Sequence, residues 1–246
     1  MAFTSGIQRS MIALSVLAAT LAGCEVLVNR AGPAPGPTES SRAAGLELLG
    51  AVIEAHDAGS WEGRDSVRVA IESKSLGRPL RQIAMTLDPV HRSALFRYRD
   101  DPGRTYVFDG ASEGVSPAGA PLTRELETMA PSLVFWSMVP GNLLDGKAVA
   151  WRLPDRDPFP RLAVRWPGQV EWFVFEIDPA DSTIRSLEFI DERLTPVFRW
   201  RGVMEGRTTV DGVVFPETWR FVPARRLFSF LSGGRDLVVL RYRPIV

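Results

Sequence analysis

Few side chains in this 246-residue chain are equipped for acid–base, nucleophilic or metal chemistry. It holds two histidines, His56 and His91, and one cysteine, Cys24. A catalytic triad or an imidazole-rich metal centre would have to use one of those histidines. His56 falls at the expected end of a helix and His91 in a turn near Pro89, places where capping or solvated histidines are common. No H-E-x-x-H spacing occurs. Gly110-Ala111-Ser112-Glu113-Gly114 has G-x-S-x-G spacing after an expected strand. A nucleophile elbow must run straight into a helix, whereas Val115-Ser116-Pro117-Ala118-Gly119 reads as loop. Gly141 to Lys147 is spaced like a phosphate-binding loop, but Ala148 stands where Ser or Thr would hold Mg²⁺. That segment also leads from a helix into a strand, the reverse of the required order. Asp100/Asp101 and Glu125/Glu127 read as a turn and a solvated helix face. Ser232-Gly233-Gly234 reads as a hairpin turn with no helix after it to bind phosphate. With no acid, base or metal constellation, the chain reads as a non-enzyme with no catalytic residue, no metal site and no cofactor.

One reactive group remains, the Cys24 thiol. Arg9 supplies a positive n-region, and Met11 to Ala22 carry no charge. This is the layout of a secretory signal, too short to serve comfortably as a permanent membrane span. Leu21-Ala22-Gly23-Cys24 resembles the lipobox of bacterial lipoprotein precursors. There, small residues let the chain fit the peptidase, the thiol carries a diacylglyceryl group, and the cysteine becomes the new N-terminus. The competing readings are an ordinary signal with a chance cysteine and a free core cysteine. Position directly after the n-region and h-region favours the lipobox. Residues 1–23 are then the signal peptide, and the covalent lipid on Cys24 is the only non-protein group expected. A sole cysteine used as an anchor leaves no disulfide to staple the fold.

Lysine plus arginine and aspartate plus glutamate balance at 29 each, so no overall field calls for nucleic acid. Residues 24–41 include Pro33, Pro35, Pro37, Gly32 and Gly36, a composition that cannot bury enough apolar surface to order itself. They read as a lipidated, proline-rich tether that holds a domain some tens of ångströms from a membrane. Glu25 replaces the aspartate that favours inner-membrane retention in enterobacterial lipoproteins, which points to the outer membrane, facing the periplasm. Residues 42–246 are ample for one domain with a substantial core.

The elements of that domain follow from hydrophobic period. Ser40 or Ser41 can cap a helix to about Asp57, with Leu46, Leu49, Ile53 and His56 on one face. The period then switches to two. Val67, Val69 and Ile71, then Ile83, Met85 and Leu87, then Ala94, Phe96 and Tyr98 alternate with more polar neighbours. Leu76-Gly77-Arg78-Pro79 reads as the turn between the first two runs, and Arg104 to Phe108 closes the meander. Seven further strands are expected in Ala148–Leu153, Arg161–Trp166, Val170–Ile177, Thr183–Glu192, Val197–Glu205, Val213–Val222 and Asp236–Arg243. Between the blocks, Leu122, Leu126, Met129, Leu133 and Trp136 form a helical stripe that Pro131 should split in two. Its second part, Leu133 to Val139, is apolar on nearly every side. Such a helix is a buried core plug or a lid lining a greasy ligand site. The expected class is mainly β, with about eleven antiparallel strands and no βαβ alternation.

Several short motifs in this order resemble one family. Ala55-His56 ends the first helix, Gly59-x-Trp61 follows, and Ser66-Val67 opens a strand. Tyr106-Val107-Phe108-Asp109-Gly110, Phe175-Glu176-Ile177-Asp178-Pro179 and Val210-Asp211-Gly212-Val213-Val214-Phe215-Pro216 come after. Together they resemble the LolA/LolB-like superfamily of outer-membrane lipoprotein-sorting proteins, over most of residues 43–243. That resemblance implies a curved, incompletely closed antiparallel β-barrel with helices covering its concave side. It also implies a hydrophobic cavity for acyl chains, and a role in carrying lipoproteins across the periplasm or receiving them at the outer membrane. The family's carriers are soluble, whereas a lipobox makes this chain a tethered member. No functional residue of the carriers aligns here.

A concave apolar pocket binds lipid by burial alone, at about 0.8 kcal/mol per CH₂. Candidate lining residues are Phe96, Phe108, Leu126, Met129, Leu133, Trp136, Trp172, Phe189 and Trp219, each of which could equally be ordinary core. The expected function is membrane-anchored binding of lipid or lipoprotein acyl chains, in lipoprotein sorting or outer-membrane lipid handling. The alternative is a non-enzymatic envelope scaffold that uses its open sheet edges to bind protein partners. A Cys24→Ser chain should incorporate no radiolabelled fatty acid, and normal labelling of that variant would overturn the anchor.

Overall fold

The computed structural model describes residues 33, 35–75, 78–101, 103, 105–110, 124–143, 148–166, 172–189, 199–224 and 238–245. Cys24 with its signal peptide, Ser112 and the Ser232-Gly233-Gly234 turn lie outside the described residues.

Helix α1 (Glu39–Ala55) opens inside the stretch read as tether. Its cap is Thr38, not Ser40 or Ser41. The Thr38 hydroxyl accepts from the Ser41 amide at 3.1 Å, and the Ser41 hydroxyl accepts from the Thr38 amide at 2.8 Å. Two of the amide donors at the helix start are thereby satisfied reciprocally. A left-handed Asp57 then turns the chain into a 3₁₀ turn, Ala58–Trp61.

Four strands follow as a meander: β1 (Val67–Ser75), β2 (Arg78–Asp88), β3 (Ser93–Tyr98) and β4 (Thr105–Phe108). Arg78 and Pro79, read as turn residues, pair in β2 with Ser75 and Lys74. Helices α2 (Arg124–Ser137) and α3 (Val139–Asn142) come next. A second meander runs through β5 (Val149–Arg156), β6 (Phe159–Arg165), β7 (Phe173–Ile177), β8 (Ile184–Phe189), β9 (Trp200–Val210), β10 (Val213–Pro223) and β11 (Val238–Arg243). The two meanders join through β1 and β11, in register from Ala70–Arg243 to Ser75–Val238. The result is one antiparallel sheet of eleven strands in the order β4-β3-β2-β1-β11-β10-β9-β8-β7-β6-β5, not closed between β4 and β5.

That sheet is curled. Helix α2 touches β3 and β4, while its Trp136 ring packs on Phe173 of β7 and Phe189 of β8. Seven strand spacings separate β3 from β7 in the sheet order. Laid flat at about 4.8 Å each, they would stand roughly 33 Å apart, about three helix diameters. One helix reaches both only because the sheet wraps around it.

Pro131 does not split α2, which runs through it; the break falls at Met138. Proline interrupts the helix ladder at a cost of about 3 kcal/mol. Burial on several sides offsets that cost, since Ala130, Leu133, Val134 and Trp136 are all buried. Each large buried side chain contributes about 1.5–3 kcal/mol.

Both sheet edges are met by helices, α2 at β4 and α1 at β5. Both contacts fall on the strands that end the sheet, where unpaired backbone is a template for strand addition. The α1–β5 approach depends on Gly45. A Cβ there would stand 2.4 Å from the Trp151 Cα and 2.7 Å from the Arg152 amide nitrogen, backbone atoms that cannot yield. Gly50 on the same helix has nothing within 4 Å of a built Cβ. Helix propensity favours alanine over glycine at both positions by about 1 kcal/mol. Gly50→Ala should therefore raise stability by roughly that amount in urea denaturation. Gly45→Ala should lower it by about 1–3 kcal/mol, as for overpacking, and increase concentration-dependent association in sedimentation.

Candidate functional site

The concave side of the sheet follows alternation, broken in β10 where Glu217, at the parity of Phe215 and Trp219, is exposed. In β1 the residues Val67, Val69 and Ile71 are buried in the main core, as are Phe215, Trp219 and Phe221 in β10. In β7 Phe173, Phe175 and Ile177 face the same interior. Glu176 lies between two inward residues and so belongs to the opposite face.

Trp136 sits at the centre. Its ring lies 4.6 Å from Phe189, 4.9 Å from Phe221 and 5.8 Å from Trp219 between centroids, in tilted or edge geometry. Phe135 adds a perpendicular contact on the same ring at 4.9 Å. Aromatic pairs in these arrangements add about 0.5–1.5 kcal/mol beyond burial. Two indoles also tie the helical segment to the strands. The Trp219 Nε1–H donates to the Trp136 carbonyl at 3.2 Å, and the Trp166 Nε1–H donates to the Asn142 carbonyl at 2.8 Å. Between them the Ser137 hydroxyl donates to the Leu133 carbonyl at 2.6 Å, closing the last turn of α2. The segment Leu133 to Val139, open to two readings from sequence, is packed as a plug in this structure.

The structure gathers Phe96, Phe108, Leu133, Trp136, Phe189 and Trp219 into this one buried cluster. Trp172 is not among them. It belongs with Trp151, Leu153, Ala163 and Val174 to a second cluster on the other face of the sheet, its ring 4.3 Å from Trp151 and 4.6 Å below the Arg165 guanidinium. Leu126 and Met129 lie on α2, and their side chains fall outside what the structure describes. Sequence reasoning missed Phe173, Phe215 and Phe221. The signal was present, since Phe215 and Phe221 share the parity of Trp219, and Phe173 has the opposite parity to Trp172.

Charge is sorted by face. Among the described residues, Glu176 is the only buried carboxylate, 2% exposed. Arg156 donates to its Oε1 at 2.6 Å, Arg201 to its Oε2 at 2.5 Å and the Ser186 hydroxyl to Oε2 at 2.7 Å. Arg156 also bridges to Glu188 at 3.1 Å. This network spans β5 to β9 on the convex side and leaves the interior uncharged. A depression of about 640 Å³ around Glu205, Arg207, Glu217, Arg241 and Arg243 is lined by mixed charges.

The interior is not wholly apolar. The Trp61 Nε1, Ser73 Oγ, Asn142 Oδ1 and Tyr242 hydroxyl are buried without hydrogen-bond partners. Burial pushes the Tyr242 phenol well above its usual range, with Ser137 nearby acting weakly the other way. The Ser137 hydroxyl donates to Leu133, which leaves its oxygen able to accept from the Tyr242 phenol.

His56, expected at a helix end, is indeed the C-cap residue, but it is buried rather than solvated. Its Nε2 accepts the Ile184 amide at 2.8 Å, tying the end of α1 to the start of β8. Burial, and then the charge of Arg207, lower its pKa to about 4 from 6.5, with Asp181 opposing. His91 is exposed in its turn and bonds Asp88 at 2.8 Å. The two histidines lie apart in these separate settings, and no group of three or more His, Cys, Asp or Glu capable of holding a metal occurs among the described residues.

No protein-family model matches the chain, and no curated protein matches it. Among solved structures it is similar to a LolA superfamily protein from Nitrosomonas europaea, at 11% identity and TM-score 0.45, over 81% of this chain and 91% of that one. It is also similar to a domain from Vibrio parahaemolyticus described as an outer membrane lipoprotein-sorting protein, at 12% identity and TM-score 0.44, over 82% and 91%. A third is a DUF1329 family protein from Desulfovibrio piger, at 11% and TM-score 0.42, over 82% and 91%.

The His56 bond has a measurable pH signature. A base whose folded pKa is depressed favours folding while neutral, so its contribution is complete above pH 6.5 and is lost as pH falls toward 4. The loss amounts to about 3 kcal/mol across that window. Denaturation at stepped pH should show this decline in the natural chain. His56→Gln should be less stable at pH 7 and should lack that part of the decline.

Proposed function

We propose that this chain is a lipid-anchored protein of the bacterial envelope whose half-barrel interior binds acyl chains of lipids or lipoproteins. The reading places it at the outer membrane, facing the periplasm, with a role in lipoprotein sorting or lipid handling. It is a binding protein and not an enzyme, and it uses no cofactor; the covalent lipid on Cys24 is its anchor.

The observation that carries the reading is the uncharged, aromatic interior of an open curled sheet. Glu176, the only buried carboxylate among the described residues, has its partners on the convex face. A ligand entering this interior meets Phe, Trp, Leu and Val, and gains only by burial, which suits a hydrocarbon chain. At about 0.8 kcal/mol per CH₂, ten methylenes supply roughly 8 kcal/mol before ordering costs. The plug at Trp136 occupies the place a chain would take. Its contacts with the sheet are mainly apolar, so an acyl chain can replace them in kind. The anchor adds a constraint: transfer of cargo happens within reach of the tether.

A scaffold without cargo is the second reading, favoured by the tight packing of Trp136 and by the exposure of Val107 on edge strand β4. Native mass spectrometry of the mature chain should show non-covalent acyl lipid in addition to the anchor. Trp136→Ala should lower the stability of the empty chain by about 3–5 kcal/mol and increase the retained lipid. A chain free of lipid, with no rise in Tm on addition of acyl chains, would leave the scaffold reading in its place.

A further inference from the structure

Strand register gathers arginines on one part of the sheet's outer face. Arg97 of β3, Ala84 of β2, Ala70 of β1 and Arg243 of β11 lie in one cross-strand row. Two residues along the strands, a second row runs through Arg99, Gln82, Glu72 and Arg241. The Arg99 amide, just past β3, bonds the Gln82 carbonyl at 3.0 Å and so fixes its place in that row. Between the two rows lies a third, Tyr98, Ile83, Ile71 and Tyr242, which is buried in the core. Alternation therefore turns both outer rows away from the interior. Four arginines stand at the corners of a block about 14 Å wide and 7 Å long, counting roughly 4.8 Å per strand and 3.4 Å per residue.

The block is poorly neutralised. All four arginines are exposed, and Glu72 is the one acid in the two rows. Glu72 reaches Arg243 at a long 3.7 Å. Arg99 bonds the uncharged Gln82 Oε1 at 3.2 Å. Among the described residues, no hydrogen bond or ion pair reaches the Arg97 or Arg241 guanidinium. Asp100 and Asp101, in the bend after Arg99, have contacts of their own. Glu205, beyond Arg241, is held by Arg220 at 2.8 Å. Elsewhere on the same face the fold does pair its arginines, as Arg156 and Arg201 show at Glu176. Basic and acidic residues balance at 29 each over the whole chain, so this excess is local. Gathered like charges repel and add nothing to packing, which leaves an external anion as their partner.

Resting on the lipid anchor of the proposed function, we propose that this block docks the domain on the anionic headgroups of the membrane that holds Cys24. The charge is spread along a sheet face and floored by Ala70 and Ala84, which matches a plane of phosphate esters. Each guanidinium offers phosphate oxygens a pair of parallel N–H donors. The tether alone lets the domain turn freely, whereas contact through this face gives it one orientation.

The test is co-sedimentation of the mature chain carrying Cys24→Ser, which has no lipid of its own, with two kinds of vesicle. One is phosphatidylcholine alone and the other an equal mixture with phosphatidylglycerol. The chain should bind the mixed vesicles, lose them in high salt, and ignore phosphatidylcholine. Arg97→Gln and Arg241→Gln should each weaken binding by about fivefold. Both sites are exposed, so Tm should hold. Glu72→Gln, which removes the one acid, should strengthen binding. Arg152→Gln, on β5 and of the parity opposite to Trp151, should change nothing. Equal binding to both vesicles, or anionic binding untouched by Arg97→Gln with Arg241→Gln, overturns the docking face. Salt-sensitive binding of polyglutamate without vesicle binding overturns it in favour of an acidic protein. None of these results bears on the Cys24 anchor or on acyl binding, which fatty-acid labelling and lipid retention read separately.

Discussion

β1 and β11 stand near opposite ends of the β-rich chain, yet they pair over six consecutive positions in one sheet. Every other strand pairing joins neighbours in sequence and forms by simple hairpins. Without the β1–β11 pairing there would be two separate meanders, each with one open edge more and neither able to surround a helix. With it, eleven strands make a continuous surface long enough to curl, and α2 finds apolar partners on both halves. The interior and the sorting of charge by face depend on that long-range contact. Loop closure over such a separation is entropically costly, and the shared aromatic core is what offsets it.

Curling gives the two faces different tasks. The concave face excludes charge because it has no water and no counter-ions to offer. From β5 to β9 the convex face keeps its charges paired across strands. Glu176 is held by two arginines and a serine, which ties β5 through β9 together where the sheet bends. Removing one partner of such a buried pair is far more damaging than the pair's net worth, because the other charge is left uncompensated. The small cluster around Trp151 and Trp172 lies on the same face, on β5, β6 and β7.

The plug and the chain's closed end are arranged differently. Trp136 is held by ring contacts that hydrocarbon can imitate, whereas His56 is held by a directed bond to the Ile184 amide. One end of α1 is thus fastened by a group whose protonation breaks the fastening. The centre is filled mainly by ring contacts, with indole hydrogen bonds from Trp219 and Trp166 holding the helical segment. Trp61, Ser73, Asn142 and Tyr242 add buried polar atoms to this mainly apolar interior.

Much of the fold was legible in the residues. Period-two alternation located the strands, because each strand's pattern is local and one face of every strand is buried. The cap was misplaced only from Thr38 to its neighbours, and the apolar run Leu133 to Val139 was recognisable as buried on nearly every side. Pro131 misled, because its local cost is outweighed by packing that only the closed sheet supplies. Alternation also says which residues share a face without saying which face becomes concave. That choice separates Trp172 from Trp136 and Phe189, and it is made by the β1–β11 pairing and the curl, not by any local pattern. His56 is a similar case, since a helix-end histidine looks solvated until β8 closes over it. By itself the sequence determined the number and kind of elements, through short-range periodicity. The tertiary structure alone decided which side chains meet inside, because those contacts join residues that are distant along the chain.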